Sequence, residues 1–267
     1  MMANVRRPQA PTERQLRTFA ALRRLVATLR GPDGCPWDRA QSHQSLRHYL
    51  TEEASEALEA LDADDPARLK EELGDLLLQI LLHTQIAEEA REFRMSDVIE
   101  SIGTKLVRRH PHVFGEALAE TPGAVAEQWE DLKRKERNGA SALTGVPASL
   151  PALSHAQTIQ RRAGKAGFEW ESEEQAWAAL DEELRELREA KTLEERRDEA
   201  GDALFALANL VRFLDVEAEE ALRSTTRGFS RLFRRVEELA AEKSQDLRET
   251  DLETKLLMWE EAKKQKT

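Results

Sequence analysis

Cysteine, glycine, proline and long apolar runs are all scarce in this chain of 267 residues. The single cysteine, Cys35, excludes an intramolecular disulfide and suits a reducing, cytoplasmic compartment. The longest apolar run, residues 76–82, is interrupted by Gln79 and is too short to span a bilayer. Residues 1–14 lack the apolar core of a signal peptide. We therefore expect a soluble cytoplasmic protein with no membrane partner.

Acidic residues outnumber basic ones by 51 to 40, which gives a formal net charge of −11. Such a charge disfavours binding along the phosphates of nucleic acid, so we expect no nucleic-acid partner. With only 12 glycines and 9 prolines, the chain is dominated by alanine, leucine, glutamate and arginine, which are strong helix formers. No segment alternates convincingly between polar and apolar residues with a period of two. The composition predicts an all-α protein.

Capping signals and apolar periodicity divide the chain into two sets of helices. The predicted helices cover residues 13–30, 44–63, 66–92, 96–109 and 122–137, and then 152–165, 173–190, 193–213, 216–243 and 251–265. Residues 138–151 are predicted to form the loop between the sets. Thr192, followed three residues later by Glu195, is typical of a capping box. The apolar residues interpreted as core in that helix are Phe205, Leu207, Leu210 and Phe213.

An internal repeat relates the two sets of helices. Chemically distinctive residues of the first half recur in the second half at a nearly constant sequence separation. The pairs are Trp37 with Trp170, Glu52 and Glu53 with Glu182 and Glu183, Glu72 with Glu199, Asp75 with Asp202, Trp129 with Trp259, and Lys133 with Lys263. A duplicated unit explains such even spacing. We predict two similar helical domains, residues 1–137 and 152–267, joined by a linker at residues 138–151.

Four acidic residues of the first copy are predicted to converge. Glu53 and Glu56 lie about one helical turn apart, as do Glu72 and Asp75, so each pair shares a helix face. A turn near residues 62–65 would fold the two helices antiparallel and bring the pairs together. Four carboxylates repel one another unless a cation lies between them. Oxygen ligands of this kind favour Mg²⁺, Mn²⁺ or Ca²⁺ over softer metals.

The alternative is a solvated acidic face, because 51 of 267 residues are acidic and short acidic motifs arise by chance. Against it, Glu53 continues the apolar stripe formed by Leu46, Leu50 and Ala57. An acid on a core-facing stripe is costly unless it is paired or bound to a metal. The second copy repeats the arrangement, with candidate metal ligands Glu183, Glu186, Glu199 and Asp202. We therefore favour a metal site in at least one copy.

In combination, these motifs resemble those of the MazG family. The motifs are the acidic EExxE and ExxD pair, GCPWD at residues 34–38 with Gln41, RRHPHVF at 108–114, LPAL at 150–153 and GFEW at 167–170. The resemblance spans residues 14–263. It implies two tandem domains of the four-helix-bundle type that assemble as a homodimer. It also implies Mg²⁺-dependent hydrolysis of nucleoside triphosphates to the monophosphate and pyrophosphate, which removes aberrant nucleotides.

The family pattern also implies roles for individual residues. The expected metal ligands of the first copy are Glu53, Glu56, Glu72 and Asp75, and Glu52 is expected to assist by hydrogen bonding or by activating water. The other expected residues of that copy are Lys105 and Arg109 as catalytic cations, with Trp37, Trp129 and Lys133 as substrate-binding groups. The substrate-binding candidates of the second copy are Trp259 and Lys263.

The second copy departs from this pattern at the cationic positions. When the copies are aligned, Gly228 and Leu232 stand in place of Lys105 and Arg109. Neighbouring arginines are displaced by one residue, which rotates a side chain by about 100° around the helix. In duplicated family members the activity is often assigned to the C-terminal copy, but the cations favour the N-terminal copy here. The alternatives are catalysis in the C-terminal copy, or a non-catalytic helical protein that binds nucleotides or dimerises.

Overall fold

The protein is all-α, as the sequence predicted. The computed structural model describes residue 12, residues 14–136 and residues 139–264. Within these residues the chain forms twelve α-helices, one 3-10 helix and no strand. Predictions about residues 1–11 and 13, the domain boundary at 137 and 138, and the final helix end at 265 lie outside the described residues. In the described part of the chain, no helix is long and apolar enough to cross a membrane.

Seven α-helices lie within residues 14–136, preceded by a 3-10 helix at Gln15–Arg17. They are α1 (Phe19–Arg30), α2 (Pro36–Ala40), α3 (Arg47–Asp62), α4 (Pro66–Ala90), α5 (Met95–Arg109), α6 (Pro111–Phe114) and α7 (Pro122–Glu136). The predicted helix at 13–30 is broken at Thr18, whose hydroxyl oxygen accepts a hydrogen bond from Ala21 N at 3.2 Å and caps α1. Helices α2 and α6 were not predicted, because each is about one turn long and shows no apolar period.

Five α-helices lie within residues 139–264. They are α8 (Ala152–Lys165), α9 (Glu173–Glu189), α10 (Leu193–Phe213), α11 (Ala218–Glu242) and α12 (Leu252–Lys264). The predicted capping box at the start of α10 is confirmed. Glu195 N donates to Thr192 Oγ1 at 3.1 Å, and Thr192 N donates to Glu195 Oε2 at 3.0 Å. Local side chains therefore satisfy backbone donors that the first turn of a helix leaves unpaired.

The chain divides into two compact units, Met1–Glu130 and Asp131–Thr267. The buried core of the first unit consists of Val26, Leu46, Leu81, Leu82 and Met95. The second unit has two buried clusters, one of Ala176, Leu180 and Leu210, and one of Val236, Leu239, Ala240, Met258 and Ala262. Each half of the chain thus has its own apolar interior. The division falls inside α7, whereas the boundary predicted from the sequence follows residue 137.

A tight turn pairs α3 with α4 in the first unit, and a turn of the same length pairs α9 with α10 in the second. In the first turn Asp64 adopts a left-handed conformation (φ 51°). The carboxylate Oδ1 of Asp65 then accepts hydrogen bonds from the backbone N atoms of Ala67 and Arg68, both at 3.0 Å. With Pro66 at the first helical position, these contacts fix the point at which α4 begins.

Gln157 joins three helices of the second unit. Its side chain lies on α8 and is fully buried. Its Nε2 donates to the carbonyl oxygens of Ala208 and Val216, both at 3.0 Å, and its Oε1 accepts from Ala218 N at 2.9 Å. The amide thus pairs with the backbone of α10, with the turn after it and with the start of α11. A buried polar group satisfied in this way holds the helices in one arrangement.

The core interpretation of α10 is correct for two residues and wrong for two. Leu210 is buried, and Phe213 packs against the cluster that contains it. Phe205 and Leu207 are instead 46% and 43% exposed. Phe205 lines a cavity rather than the packed interior, which accounts for its exposure.

Candidate metal centre

Three glutamates of the first unit converge where α3 packs against α4, and we call them the first triple. One carboxylate oxygen from each of Glu53, Glu56 and Glu72 lies within 4.8 Å of the other two. Glu72 is buried, and the other two are half-buried. Asp75, the fourth expected ligand, is not part of this triple, but it is near enough for its charge to act on Glu53.

Mutual repulsion affects the first triple. Burial raises the pKa of Glu53, and the charges of Asp75 and Glu56 raise it further. The pKa of Glu56 is also raised, chiefly by the charge of Glu72. A raised carboxyl pKa means that the surroundings disfavour the negative form. A bound cation would reverse that effect.

Arg68 lies beside the first triple, one turn before Glu72 on α4. Its Nε is 3.3 Å from Glu72 Oε1, and its Nη2 is 2.9 Å from Glu59 Oε2. The positive charge of Arg68 lowers the pKa of Glu56 and so opposes the repulsion within the triple. Arg68 was not among the residues predicted from the sequence, although its spacing of four residues from Glu72 is typical of an ion pair on a helix.

Three acids of the second unit converge in the same way between α9 and α10, and we call them the second triple. One carboxylate oxygen from each of Glu183, Glu199 and Asp202 lies within 4.8 Å of the other two. Burial raises the pKa of Glu183, followed by the charge of Asp202. Burial also raises the pKa of Glu199, followed by the charges of Glu186 and Asp202.

Glu186, the remaining expected ligand of the second copy, contacts an arginine instead. Its Oε1 is 3.8 Å from Arg185 Nη2, which is also 3.4 Å from Glu182 Oε1. The two copies therefore converge on different subsets of the expected quartets. The first triple leaves out Asp75, and the second leaves out Glu186.

The donor atoms of both triples fit a small, hard divalent cation. Every group in them is a carboxylate, the ligand type that Mg²⁺ and Mn²⁺ prefer. Oxygens bound to Mg²⁺ at about 2.1 Å are separated by about 3–4 Å. The oxygens of each triple lie within 4.8 Å of one another, so small side-chain rotations suffice to bring them to that spacing. Water or phosphate oxygens would complete the coordination.

A cavity of about 550 Å³ borders the second triple. Glu183 and Asp202 line it together with three aromatic side chains, Phe168, Trp170 and Phe205. The volume lies within the range of small-molecule sites, which are mostly apolar with a few polar groups. A cavity with aromatic walls and carboxylates suits a ligand that joins a flat ring to a metal-bound charged group. Phe205, interpreted as core from the sequence, contributes to this wall.

Two further candidates of the first copy lie on α2 and α3. Trp37 is 51% exposed, and its ring packs edge-on against Tyr49 with centroids 5.9 Å apart. Glu52 is exposed on α3 and lines a surface depression with Arg47 and His48. Its charge contributes to the raised pKa of Glu53, the next residue along the chain.

The remaining candidates of the first copy lie on α5 and α7. Lys105 is exposed and Arg109 is half-buried, both on α5. Trp129 is half-buried on α7 and packs edge-on against His110, with ring centroids 5.0 Å apart. Lys133 is half-buried on the same helix.

The candidate substrate-binding residues of the second copy lie on α12. Trp259 is half-buried, and its ring centroid is 5.1 Å from that of Phe229 on α11. Lys263 is exposed and forms an ion pair with Glu260 of its own helix. Trp259 of α12 thus packs against α11 at Phe229, the residue that follows Gly228. Gly228 is the residue that aligns with Lys105 of the first copy.

The sequence of this chain is similar to those of known proteins. The family model described as the MazG nucleotide pyrophosphohydrolase domain matches residues 41–114, the segment that contains the first triple, Lys105 and Arg109. Among individual proteins, the chain is 44% identical to the nucleoside triphosphate pyrophosphohydrolase/pyrophosphatase MazG of Thermotoga maritima, covering 92% of this chain and 95% of the relative.

Two more relatives extend the comparison. A nucleoside triphosphate pyrophosphohydrolase of Escherichia coli is 39% identical, with 90% of this chain and 95% of that protein aligned. The uncharacterized protein YabN of Bacillus subtilis is 43% identical over 92% of this chain, which spans only 51% of that longer protein. The Thermotoga maritima and Escherichia coli proteins both match this chain over nearly their full lengths. The chain therefore belongs to the MazG family.

Proposed function

We propose that this protein is a divalent-cation-dependent nucleoside triphosphate pyrophosphohydrolase. The observation that carries the proposal is the convergence of three carboxylates between two paired helices, in both halves of the chain. The names of the Thermotoga maritima and Escherichia coli relatives support the same activity. In the cell, such an activity would remove aberrant nucleotides from the pool, and we propose that it does so in the cytoplasm.

The proposed reaction is hydrolysis at the α-phosphorus. Water attacks that phosphorus, the bond to the bridging oxygen of the β-phosphate breaks, and pyrophosphate leaves the nucleoside monophosphate. Mg²⁺ or Mn²⁺ held by the carboxylates would polarise the phosphate and lower the pKa of a bound water. The proton of the attacking water passes to a carboxylate. Glu52 in the first copy and Glu182 in the second are the proposed acceptors.

The proposed metal ligands are the two triples, extended by the fourth acid of each quartet. In the first copy they are Glu53, Glu56, Glu72 and Asp75, and in the second copy Glu183, Glu186, Glu199 and Asp202. Asp75 and Glu186 would reach the cation after a change of rotamer. Both already act on the charges of their triples.

Two observations support different copies as the catalytic one. Lys105 and Arg109 have no counterparts at the aligned positions of the second copy, and they support the N-terminal copy. The cavity beside Glu183 and Asp202 supports the C-terminal copy. We assign the nucleotide to the C-terminal copy, because its cavity offers both apolar walls for a base and carboxylates for a metal. The opposite assignment, to the N-terminal copy, is the one that the sequence predicted from Lys105 and Arg109.

Substrate contacts outside the carboxylates are proposed from the family pattern. In the N-terminal copy they are Trp37, Lys105, Arg109, Trp129 and Lys133. In the C-terminal copy they are Trp259 and Lys263, together with the aromatic wall of the cavity. A triphosphate brings further negative charge to an acidic site, so cations beside the metal would offset it.

We also propose that the chain consists of two bundle-type domains, residues 1–137 and 152–267, and forms a homodimer. Apolar side chains that repeat along one face of α5 and of α11 are exposed: Ile99, Ile102 and Leu106, and Leu222, Phe229 and Phe233. A second copy of the chain would cover such faces. Phe229→Glu should shift the sedimentation coefficient toward that of a monomer, whereas Ser224→Glu, on another side of α11, should not.

A coupled phosphate assay tests the activity. The purified chain is incubated with each nucleoside triphosphate and Mg²⁺, with and without added inorganic pyrophosphatase. Phosphate that appears only with the second enzyme reports pyrophosphate release. If no phosphate is released with any nucleotide, the protein is better described as a non-catalytic protein that binds nucleotides or dimerises.

Paired substitutions assign the catalytic copy. Glu183→Gln with Asp202→Asn should reduce turnover by more than about 100-fold, because both groups are proposed metal ligands. Glu53→Gln with Glu56→Gln should leave most of the turnover. Glu189→Gln, an exposed acid at the end of α9, serves as the control. If only the first-copy pair abolishes turnover, the nucleotide belongs to the N-terminal copy.

A further inference from the structure

The two triples differ in the charge of one neighbouring residue. This residue lies one helical turn before Glu72 on α4 in the first copy, and one turn before Glu199 on α10 in the second. In the first copy this residue is Arg68, four positions before Glu72. In the second copy it is Glu195, four positions before Glu199. The repeat thus replaces a cation by an anion at this position, and Arg185 of the second copy contacts Glu182 and Glu186 rather than a member of the second triple.

Arg68 already neutralises part of the first triple. Its guanidinium contacts Glu72 through Nε at 3.3 Å and Glu59 through Nη2 at 2.9 Å. The Glu72 side chain is 11% exposed and that of Arg68 is 39% exposed, so water screens this contact only in part. A metal ion bound to Glu72 would therefore meet a positive charge on the adjacent turn of α4.

Glu195 acts in the opposite sense. Its Oε2 accepts hydrogen bonds from the backbone N atoms of Lys191 at 2.7 Å and Thr192 at 3.0 Å, which hold it at the start of α10. The second triple thus has an anion at the position where Arg68 stands in the first copy. The second triple therefore gains more from a bound cation than the first triple does.

We propose that Arg68 is a built-in counter-cation of the first triple, and that divalent ions consequently fill the second triple first. The inference rests on the metal sites of the proposed function. It makes Arg68 a residue that sets the metal affinity of the first copy without contacting substrate. At low divalent-ion concentration only the second copy would carry metal.

Mn²⁺ binding to the full-length chain tests the order of filling. Free Mn²⁺ is followed by electron paramagnetic resonance, and the heat of binding by calorimetry. The wild-type protein should show two classes of site. Glu183→Gln with Glu199→Gln should remove the tighter class, and Glu53→Gln with Glu72→Gln should remove the weaker one. The opposite assignment would overturn the order.

The role of Arg68 is then measured in the background that lacks the second site. Arg68→Gln should tighten Mn²⁺ binding about fivefold, the effect of removing one ion pair of this exposure. Arg68→Lys keeps the charge and should bind as weakly as the unchanged background. Arg23→Gln, which breaks the 2.9 Å pair with Glu88 elsewhere in the unit, is the control and should change nothing.

Two results would overturn the proposal. Unchanged or weaker binding in Arg68→Gln would mean that Arg68 holds Glu72 in place for the metal. Equal tightening by Arg68→Lys would mean that charge is not the cause. Helical circular dichroism checks that each variant is folded, and Arg68→Met provides a second neutral side chain if the glutamine variant is not. Absence of any Mn²⁺ binding would instead count against the proposed function.

Discussion

The Nδ1 atoms of His43 and His83 lie 2.8 Å apart, and the two rings are parallel to within 3°. A hydrogen bond between two ring nitrogens needs one donor and one acceptor, so the pair shares one proton at this contact. His43 precedes α3, and His83 lies on α4, the helix that carries Glu72. The contact therefore ties the segment before α3 to the helix that supplies a proposed metal ligand.

Acid is expected to break this contact and weaken the first unit. Burial lowers the pKa of His83, and the charge of His43 lowers it further. A lowered pKa means that the unfolded chain binds a proton more readily than the folded one. The stabilisation is thus complete above the usual histidine pKa of about 6.5 and is lost as the pH falls below it.

Urea denaturation at about pH 7.5 and about pH 5 measures this effect as a change in the free energy of unfolding. His83→Asn should show a smaller decrease between the two values than the wild-type protein. His48→Asn, at an exposed histidine, should keep the wild-type decrease. Equal decreases in all three proteins would contradict the prediction.

Removing one charge of the first triple should stabilise the metal-free protein. The raised pKa of Glu53 means that the folded state binds a proton more readily than the unfolded state, so stability falls as the pH rises above the ordinary value of 4.5. Without divalent ions at about pH 7, Glu53→Gln should raise the melting temperature by about 2–4 °C. The gain should vanish near the ordinary pKa.

Mg²⁺ provides the complementary measurement. Added Mg²⁺ should raise the melting temperature of the wild-type protein, because it binds only the folded state. It should raise that of Glu53→Gln by less. Glu100→Gln, at an exposed acid of α5, should respond as the wild-type protein does. An equal Mg²⁺ response in Glu53→Gln would argue against metal binding at the first triple.

The aromatic wall of the cavity should determine nucleotide affinity. Trp170→Ala and Phe168→Ala each remove a ring that is expected to contact the base, and each should raise KM about tenfold. Nucleotide titration followed by tryptophan fluorescence gives the affinity independently of turnover. Trp177→Ala removes an exposed tryptophan of α9, which is hydrogen-bonded to Glu173, and should leave KM unchanged. Equal effects of all three substitutions would contradict the assignment.

The buried amide of Gln157 should contribute strongly to the stability of the second unit. Gln157→Leu leaves the Ala218 N–H, buried at that bond, without its partner and should lower the free energy of unfolding by about 2–4 kcal/mol. Gln245→Leu changes an exposed glutamine in the same unit and should cost less than about 0.5 kcal/mol. Denaturant titration with a probe in the second unit measures both.

Spacing along helices was enough to predict much of the candidate site. Residues three apart share a helix face, so Glu53 and Glu56 could be placed together, and the turn before Pro66 brings Glu72 to them. The choice of three acids out of each quartet could not be predicted, because it depends on side-chain rotamers and on nearby arginines. The cavity was also missed, since residues 167–170 line it only after the chain has folded against α10.

The core was harder to predict than the helices, for a related reason. A sequence does not distinguish a leucine or phenylalanine that is buried in the core from one on a surface that another molecule covers. Leu73 flanks Glu72 and is 54% exposed, and Phe205 is exposed to the cavity. Apolar periodicity locates a helix reliably but does not say what packs on each side of it.

The three-residue turns at residues 63–65 and 190–192 set the register between the helices that carry the carboxylates. Inserting a single residue into α4 between Pro66 and Glu72 would rotate Glu72 by about 100° and shift it by about 1.5 Å relative to the start of that helix. Glu72 would then point away from Glu53 and Glu56, although every residue of the motif would still be present. The proposed metal site thus depends on the register between the two helices as directly as it does on the acids themselves.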